Sequence, residues 1–396
     1  MGVLVTRITA TLAAGLAGIA LVGPPALAGA QDVYRWYDRD GNVHYTQQPP
    51  PPDALRAPPP PAPVAPPSPL PETPPADAPP ADERTPPAET PPVARVTADP
   101  AALERALDAY RRGEYAEALE IIRPLAEQGD ATAQSRLAGL YERGAGVEPD
   151  VAEAARWYRQ AAEGGDPIAQ HNLGSMLSEG RGVARDATEA ALWWQRAAER
   201  GVAAAQVSLG SAYAEGAGVP KDDAVAVQWW REAARQRFPP AQDRLGFAYE
   251  HGTGVDRSDA DAMGWYLVAA EQGFARAQVN LANLYRKRRK PDDLAEAIRW
   301  YRVAAAQGYP PGQHSLAAAY AQGVGVKQDY VEAARLYRQA AEQGFTPAQV
   351  ALAGMYLRGE GVPRSRDEAD RWMQRAADAG DPQAKEALRS PTPLLR

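Results

Sequence analysis

Hydrophobic residues recur along most of this chain in a pattern that repeats about every 36 residues. In the first clear copy, Ala133, Leu137 and Tyr141 are spaced four apart, which places them on one face of an α-helix. Trp157 and Ala161 have the same spacing and indicate a second helix. The tryptophan position returns at intervals of 35 or 36 residues, at Trp157, Trp193, Trp229, Trp265, Trp300, Leu336 and Trp372. A repeat of this length predicts helix pairs that stack on their neighbours in a solenoid.

Glycines and helix caps separate the predicted helices. A Gly-x-Gly-Val segment follows the first helix, and its first glycine, Gly144, fits a helix end with positive φ. The segment lacks the Lys-Ser/Thr of a phosphate loop, so we interpret it as a structural turn. Asp150 and Glu153 have the spacing of a capping box at the start of the second helix, which ends before Gly165.

The complete unit resembles the Sel-1-like repeat, a relative of the tetratricopeptide repeat. It reads A-x-x-x-L-x-x-x-Y-x-x-G-x-G-V, then A-x-x-W-Y-x-x-A-A and a closing G-x-x-x-A-Q. Seven copies span roughly residues 131–380; residues 110–118 resemble a tetratricopeptide helical pair, and residues 381–390 are predicted to form a capping helix. The resemblance implies an all-α fold, a right-handed superhelical solenoid of antiparallel helix pairs over residues 100–390. It also implies a non-enzymatic scaffold for protein complexes, in bacteria often within the cell envelope.

Residues 1–30 have the pattern of a secretory signal peptide. Arg7 precedes the apolar run 8–22, and small residues allow cleavage after Ala28 or Ala30. Because the run is shorter than the roughly 20 residues that span a bilayer, we expect no transmembrane anchor after cleavage. The chain has no cysteine, which excludes disulfides and a lipid-modified N-terminal cysteine. These features predict a periplasmic or secreted protein of the Gram-negative envelope.

Two segments separate the predicted signal peptide from the repeats. Residues 31–48 contain two aromatic and β-branched runs on either side of an Asp-Gly pair, which is typical of a β-hairpin. Their pattern W-x-D-x-x-G-x-V-x-Y resembles a short uncharacterised domain found at the N-terminus of many Gram-negative envelope proteins. Residues 49–99 form a Pro-rich linker, predicted to be disordered, in which positions 49–92 alone contain 21 prolines.

The charge of the chain and the absence of catalytic motifs exclude several classes of function. The chain carries a net charge of −7, but residues 31–99 contribute 10 acids against 5 bases, so the repeat region is nearly neutral. Nucleic-acid binding needs a basic face for phosphates, so we expect no nucleic-acid partner. No serine, zinc or thiol hydrolase signature is present, and the four histidines are too dispersed to share a metal. We therefore expect no catalytic residues, no metal, no cofactor and no enzymatic activity.

The fifth copy is the best candidate for a partner-binding site. Five basic residues replace its glycine turn, and Asp293 with Glu296 forms the next predicted cap. By analogy with tetratricopeptide repeats, the positions two before and two after the repeated leucine of the first helix, Leu281 in this copy, face the concave side. The predicted site comprises Phe247, Arg276, Val279, Asn283, Arg286, Lys287, Arg288, Arg289 and Lys290. These residues fit an acidic or carboxylate-bearing segment of an envelope protein. Two alternatives stay open: a solvated basic loop without a partner, and binding of peptidoglycan or another envelope glycan.

Overall fold

The computed structural model describes residues 34–37, 43–46 and 100–389, which belong to two separate units. In the first unit, strands β1 (Tyr34–Tyr37) and β2 (Val43–Thr46) pair antiparallel, with Tyr34 opposite Thr46. The predicted signal peptide, the Pro-rich linker and the rest of the hairpin domain lie outside the described residues. Those three assignments stay predictions.

The second unit is helical, and residues 100–389 contain seventeen helices. In chain order they are α1 (Pro100–Arg111), α2 (Tyr115–Glu127), α3 (Ala131–Arg143), α4 (Val151–Glu163), α5 (Pro167–Glu179), α6 (Ala187–Glu199), α7 (Ala203–Glu215), α8 (Asp223–Arg235), α9 (Pro239–His251), α10 (Asp259–Glu271), α11 (Ala275–Arg288), α12 (Pro291–Ala306), α13 (Pro310–Gln322), α14 (Tyr330–Glu342), α15 (Thr346–Arg358), α16 (Arg366–Asp378) and α17 (Pro382–Arg389). The prediction of an all-α repeat region is confirmed for this part of the chain.

The helices stack along the chain as pairs. Helices α3 to α16 make seven pairs, preceded by the pair α1 and α2 and followed by α17, which packs on α16. We call the odd-numbered helices α3 to α15 first helices and their even-numbered partners second helices. Connections of seven residues or fewer turn each helix back on the previous one. First helices also contact one another across pairs, α7 with α9 and α11 with α13, so they share one side of the stack.

Alanines and large rings fill the core between the helices. Trp229 and Trp230 on α8 and Tyr266 on α10 are buried, and small alanines beside them let the helices approach closely. The tryptophan slot is less uniform than its sequence suggests, because Trp157 and Trp265 are only partly buried. Burial of this position therefore varies from pair to pair, and it is nearly complete at Leu336, which is 3% exposed.

Apart from α12, the second helices with a predicted capping box begin at the predicted caps, with one difference. Oδ1 of Asp150 accepts a hydrogen bond from the backbone N–H of Glu153 at 2.9 Å. The Glu153 carboxylate does not return to the cap, however, and accepts from the indole Nε1 of Trp157 at 2.9 Å. Glu189 and Trp193 repeat this contact at 3.1 Å. In these pairs the capping box is only half formed: the glutamate accepts from the indole one turn later, and the backbone N–H of Asp150 donates to the carbonyl oxygen of Tyr141 at 3.0 Å.

A buried glutamine on each first helix of the seven pairs fixes the spacing between helices. The residues are Gln134, Gln170, Gln206, Gln242, Gln278, Gln313 and Gln349. For example, Nε2 of Gln206 donates to the carbonyl oxygen of Ala198 in the preceding second helix at 3.1 Å. Its Oε1 accepts from Nε2 of Gln236, at the end of α8, at 2.9 Å. Where both bonds form, they restrict how the pairs can pack, whereas Oε1 of Gln170 and of Gln349 has no hydrogen-bond partner among the described residues.

Candidate functional site

Each first helix keeps one stripe of residues open to solvent. On α9 the stripe is Pro240, Arg244, Phe247 and His251, and on α11 it is Arg276, Asn280, Asn283 and Lys287. Spacings of three and four residues keep each set on one side of its helix, and all eight residues are at least partly exposed. We call this surface of α9 and α11 the open face.

Val279 does not belong to the open face, so its predicted exposure on a partner-binding surface is wrong. Its side chain is 7% exposed and belongs to the same core cluster as Leu281. The equivalent position on α9 is Asp243, which is also buried. First helices contact one another, so the side of the helix that carries this position is closed. The open position is the next residue, Asn280, which the tetratricopeptide analogy missed and simple helical spacing from Arg276 would have found.

Arg276 and Asn280 hold the buried carboxylate of Asp243. Nε of Arg276 donates to Oδ2 at 2.6 Å, and Nδ2 of Asn280 donates to Oδ1 at 2.9 Å. Burial raises the pKa of Asp243, although the Arg276 charge and the Asn280 hydrogen bond act in the opposite direction. The network joins α9 to α11. Arg276 is therefore engaged by the protein itself and offers a partner only the exposed part of its guanidinium.

Phe247 and Arg244 are adjacent on the α9 stripe and face solvent together. The Phe247 side chain is 44% exposed, and its ring stacks on that of His251 with centroids 4.1 Å apart. The other five first helices apart from α11 have a small residue at this position, namely Gly139, Ser175, Ser211, Ala318 and Gly354. Nε of Arg244 is buried without a hydrogen-bond partner among the described residues, and burial lowers the pKa of this guanidinium. An apolar ring beside an unpaired cation fits a ligand with an apolar group and an anion.

Asn283 and the basic run lie at the other end of the α11 stripe. Oδ1 of Asn283 accepts from the Tyr301 hydroxyl at 2.5 Å. Arg286, Lys287 and Arg288 form the last turn of α11, where positive charge favours a helix C-terminus. Lys287 makes an ion pair with Glu250 on α9, and Nε of Arg288 lies 3.2 Å from Oδ2 of Asp293. Arg289 and Lys290 are exposed and have no ion pair among the residues that the structure describes.

The start of α12 differs from its prediction. Asp293 and Glu296 do not cap this helix, because it begins at Pro291 with Lys290 at the N-cap and no side-chain hydrogen bond there. Proline is well suited to the first helical position, since its missing N–H has no partner there in any case. The helix therefore extends over 16 residues, against 13 in the second helices of the other six pairs.

Neither metal binding nor membrane crossing finds support in the part of the chain that the structure describes. Residues 34–37, 43–46 and 100–389 include no group of three His, Asp or Glu side chains that could hold a metal ion. The helices of residues 100–389 include none with the length and apolar content needed to cross a membrane. Burial lowers the pKa of both His171 and His314, which favours their neutral forms.

Comparisons with known proteins agree with the repeat architecture. The Sel1 repeat profile matches residues 131–166, 167–202, 203–238, 239–274, 275–309, 310–345 and 346–381. A Sel1 repeat protein from Oxalobacter formigenes is 34% identical, with a TM-score of 0.52, over 72% of this chain and 86% of that one. The c5321 protective antigen of uropathogenic Escherichia coli is 30% identical over 73% of this chain and 79% of its own, with a TM-score of 0.36. No protein in the curated comparison matches the chain.

Proposed function

The chain belongs to the Sel1 repeat family, and we propose that it is a non-enzymatic scaffold that binds proteins of the bacterial envelope through the open face of α9 and α11. Solenoids of this kind typically mediate protein–protein interactions, since stacked repeats present extended surfaces rather than enclosed cavities. The observation that carries the proposal is the exposed Phe247 ring beside the unpaired Arg244 guanidinium.

A protein segment fits this surface because binding energy concentrates in a few anchors. Aromatic and arginine side chains dominate such anchors, and weaker polar contacts surround them. Phe247 and Arg244 supply the anchor, and Asn280 and Asn283 on α11 supply polar groups next to it. Lys287 adds a charge at the edge of the open face, although Glu250 partly neutralises it. A bound segment would thus place an apolar residue on Phe247 and an acidic residue near Arg244.

The envelope location rests on the sequence of the N-terminus. The charged residue, apolar run and small-residue cleavage sites of positions 1–30 support export. The absence of cysteine from all 396 residues suits an exported chain that has no disulfide to form. Partners would then be other periplasmic or secreted proteins.

Capture from envelope extracts tests the proposal with two single substitutions. The full chain, Phe247→Ala and Leu192→Ala are immobilised, and bound proteins are identified and titrated. Leu192 is a matched control, because it is also 44% exposed but lies on the second helix α6. Loss of an aromatic anchor should weaken the partner about tenfold, which corresponds to about 1.4 kcal/mol. Leu192→Ala should bind like the unmodified chain.

Two results would contradict the proposal. Equal loss of binding in the two variants would show that exposure, not the open face, governs capture. Retention by purified cell-wall sacculi without any protein partner would instead favour a glycan-binding module. Circular dichroism of each variant confirms that the helices remain intact.

A further inference from the structure

A cavity of about 140 Å³ lies between the fifth repeat, which consists of helices α11 and α12, and the next first helix, α13. Leu294, Ala297 and Ile298 of α12 form one wall, and Ala318 and Ala319 of α13 form the other. Ala318, with Ser315 and Gln322 of the same lining, occupies the α13 positions that correspond to the open face. The cavity therefore reaches the surface of the first helices one repeat beyond Asn283.

The cavity is related to the altered start of α12. In regular pairs, the second glycine of the turn lies against a backbone carbonyl near the start of the preceding second helix. A methyl group placed on Gly182 would be 2.2 Å from the carbonyl oxygen of Val151, and one on Gly361 would be 1.9 Å from that of Tyr330. At Gly325 the nearest atoms, in Ile298 and Leu294, would be 3.0 Å away. The turn after α13 thus packs less closely on α12, and space remains between them.

The polar groups of the cavity carry one positive charge and no negative charge. Arg286, at the end of α11, lines it together with Tyr301 and His314, and none of its lining residues is acidic. Arg286 makes no ion pair with a carboxylate among the described residues 100–389. Burial raises the pKa of the Tyr301 hydroxyl, and the Arg286 charge and hydrogen bond act in the opposite direction. The same hydroxyl donates to Oδ1 of Asn283. His314 packs edge-on against the rings of Tyr337 and Phe345, which holds the imidazole in place at the cavity.

We propose that this cavity binds a branched aliphatic group with a carboxylate beside it, the aliphatic group between α12 and α13 and the carboxylate on Arg286. An apolar cavity of about 150 Å³ accommodates a ligand the size of benzene, so a leucine- or valine-sized group fits the available volume. The guanidinium is a strong donor to carboxylates and has no acidic competitor in the lining. In a polypeptide, this chemistry is supplied by a C-terminal Leu or Val, or by an aliphatic residue next to Asp or Glu.

The inference rests on the proposed function for its biological ligand, a protein segment bound at the first helices, but its test needs no partner. The probes are 4-methylpentanoate, its neutral amide and acetate, each titrated into the full chain with labelled Leu and Ile methyl groups. We expect 4-methylpentanoate to shift the methyl signals of Leu294 and Ile298. The amide should bind about tenfold more weakly, because it lacks the charge, and acetate should leave these methyl signals unchanged, because it lacks the branched group.

Three variants separate the two halves of the site. Arg286→Gln should weaken 4-methylpentanoate about tenfold and leave the amide unaffected. Ala318→Leu should reduce binding of both, since the larger side chain occupies the cavity. Arg289→Gln is the matched control, because Arg289 belongs to the same basic run but does not line the cavity, and it should change neither. Unchanged methyl signals in the unmodified chain, or equal binding of acid and amide, would overturn the proposal.

Two dipeptides identify the source of the carboxylate. N-acetyl-Ala-Leu has a free C-terminal carboxylate, and N-acetyl-Asp-Leu-amide has an acidic side chain instead. Tighter binding of the first assigns the cavity to chain termini, tighter binding of the second assigns it to internal acidic segments, and binding of neither overturns the polypeptide assignment. Failure here with normal capture by the Phe247 test would refute the cavity alone. Carboxylate binding without protein capture would refute the scaffold proposal alone.

Discussion

The regular pair α7–α8 and the irregular pair α11–α12 have the same core and different connections. Trp229 and Trp300 are each 7% exposed in their second helices. In the regular pair, Gly216 ends α7 with a φ of 70°, and a seven-residue turn precedes α8. In the irregular pair, Arg289 adopts the left-handed conformation with a φ of 57°, and α12 begins two residues later. The core positions therefore define the helix pair, and the connection can vary without disturbing it.

The difference in connection also shows that a change between two helices of one pair can create a local feature in the next pair. The connection of one pair is a surface against which the next pair packs, so a change there alters the neighbouring turn. The short connection before α12 coincides with a looser contact at Gly325 and with the cavity lined by Arg286. Nearest-neighbour packing keeps this effect local.

The largest expected effect tests whether the two cores are equivalent. Trp229→Ala and Trp300→Ala should each lower the free energy of unfolding by about 3–5 kcal/mol, because each leaves a large unfilled volume between helices. Denaturant unfolding of the full chain measures both losses. A loss under about 1 kcal/mol at Trp300 alone would show that the irregular pair does not share the regular core.

The next effect tests the looser turn. Gly218→Ala places a methyl group 2.0 Å from the carbonyl oxygen of Ala187, whereas Gly325→Ala meets its nearest atoms at 3.0 Å. Both glycines have positive φ, 77° and 70°, so left-handed strain of about 1–2 kcal/mol is common to both substitutions. The close contact at Gly218 should add about 1–3 kcal/mol. Equal losses of unfolding free energy at the two positions would contradict the gap beside α12.

The repeat region was predictable because each structural position recurs in several copies of the repeat. Ala133, Leu137 and Trp157 have equivalents at intervals of 35 or 36 residues, so one uncertain copy is corrected by the others. The seven matched repeats and the helix pairs agree with that reading. The predicted binding residues had no such support, since the irregular unit occurs once. Their assignment depended on an analogy for the exposed side of a first helix, and that analogy placed Val279 outside when it is buried.

Two other features could not be read from any one position. The cavity arises although Gly323, Gly325 and Val326 keep the regular turn pattern, because the change lies in the helix they pack against. The Asp243 network needs Arg276 and Asn280 from the following first helix, and nothing in the repeat pattern pairs those positions. Contacts between neighbouring repeats can be identified only when the distances between those repeats are known.

A smaller effect tests the strained end of α11. Arg289→Gly should stabilise the chain by about 0.5–1 kcal/mol, because glycine adopts positive φ without the clash that a Cβ creates. Arg288→Gly is the control, since Arg288 is the last residue of the helix and glycine there should destabilise by about 1 kcal/mol. Opposite signs in denaturant unfolding are expected. The same sign for both would mean that loss of charge, not backbone conformation, decides the outcome.

The smallest effect concerns the exposed charges of the irregular connection. Arg289 and Lys290 are exposed and have no ion pair among the described residues, so a partner meets their charges in a fully solvated setting. Replacing both by Gln should weaken partner affinity about two- to threefold in 0.1 M salt and not measurably in 1 M salt. Screening is the reason, because the Debye length falls from about 10 Å to about 3 Å over that range. Binding is measured across the salt series for both proteins. The control for net charge replaces Lys221 and Lys327, exposed lysines in two regular turns, by Gln. Parallel salt curves would show that the irregular connection contributes no more to binding than a regular one does.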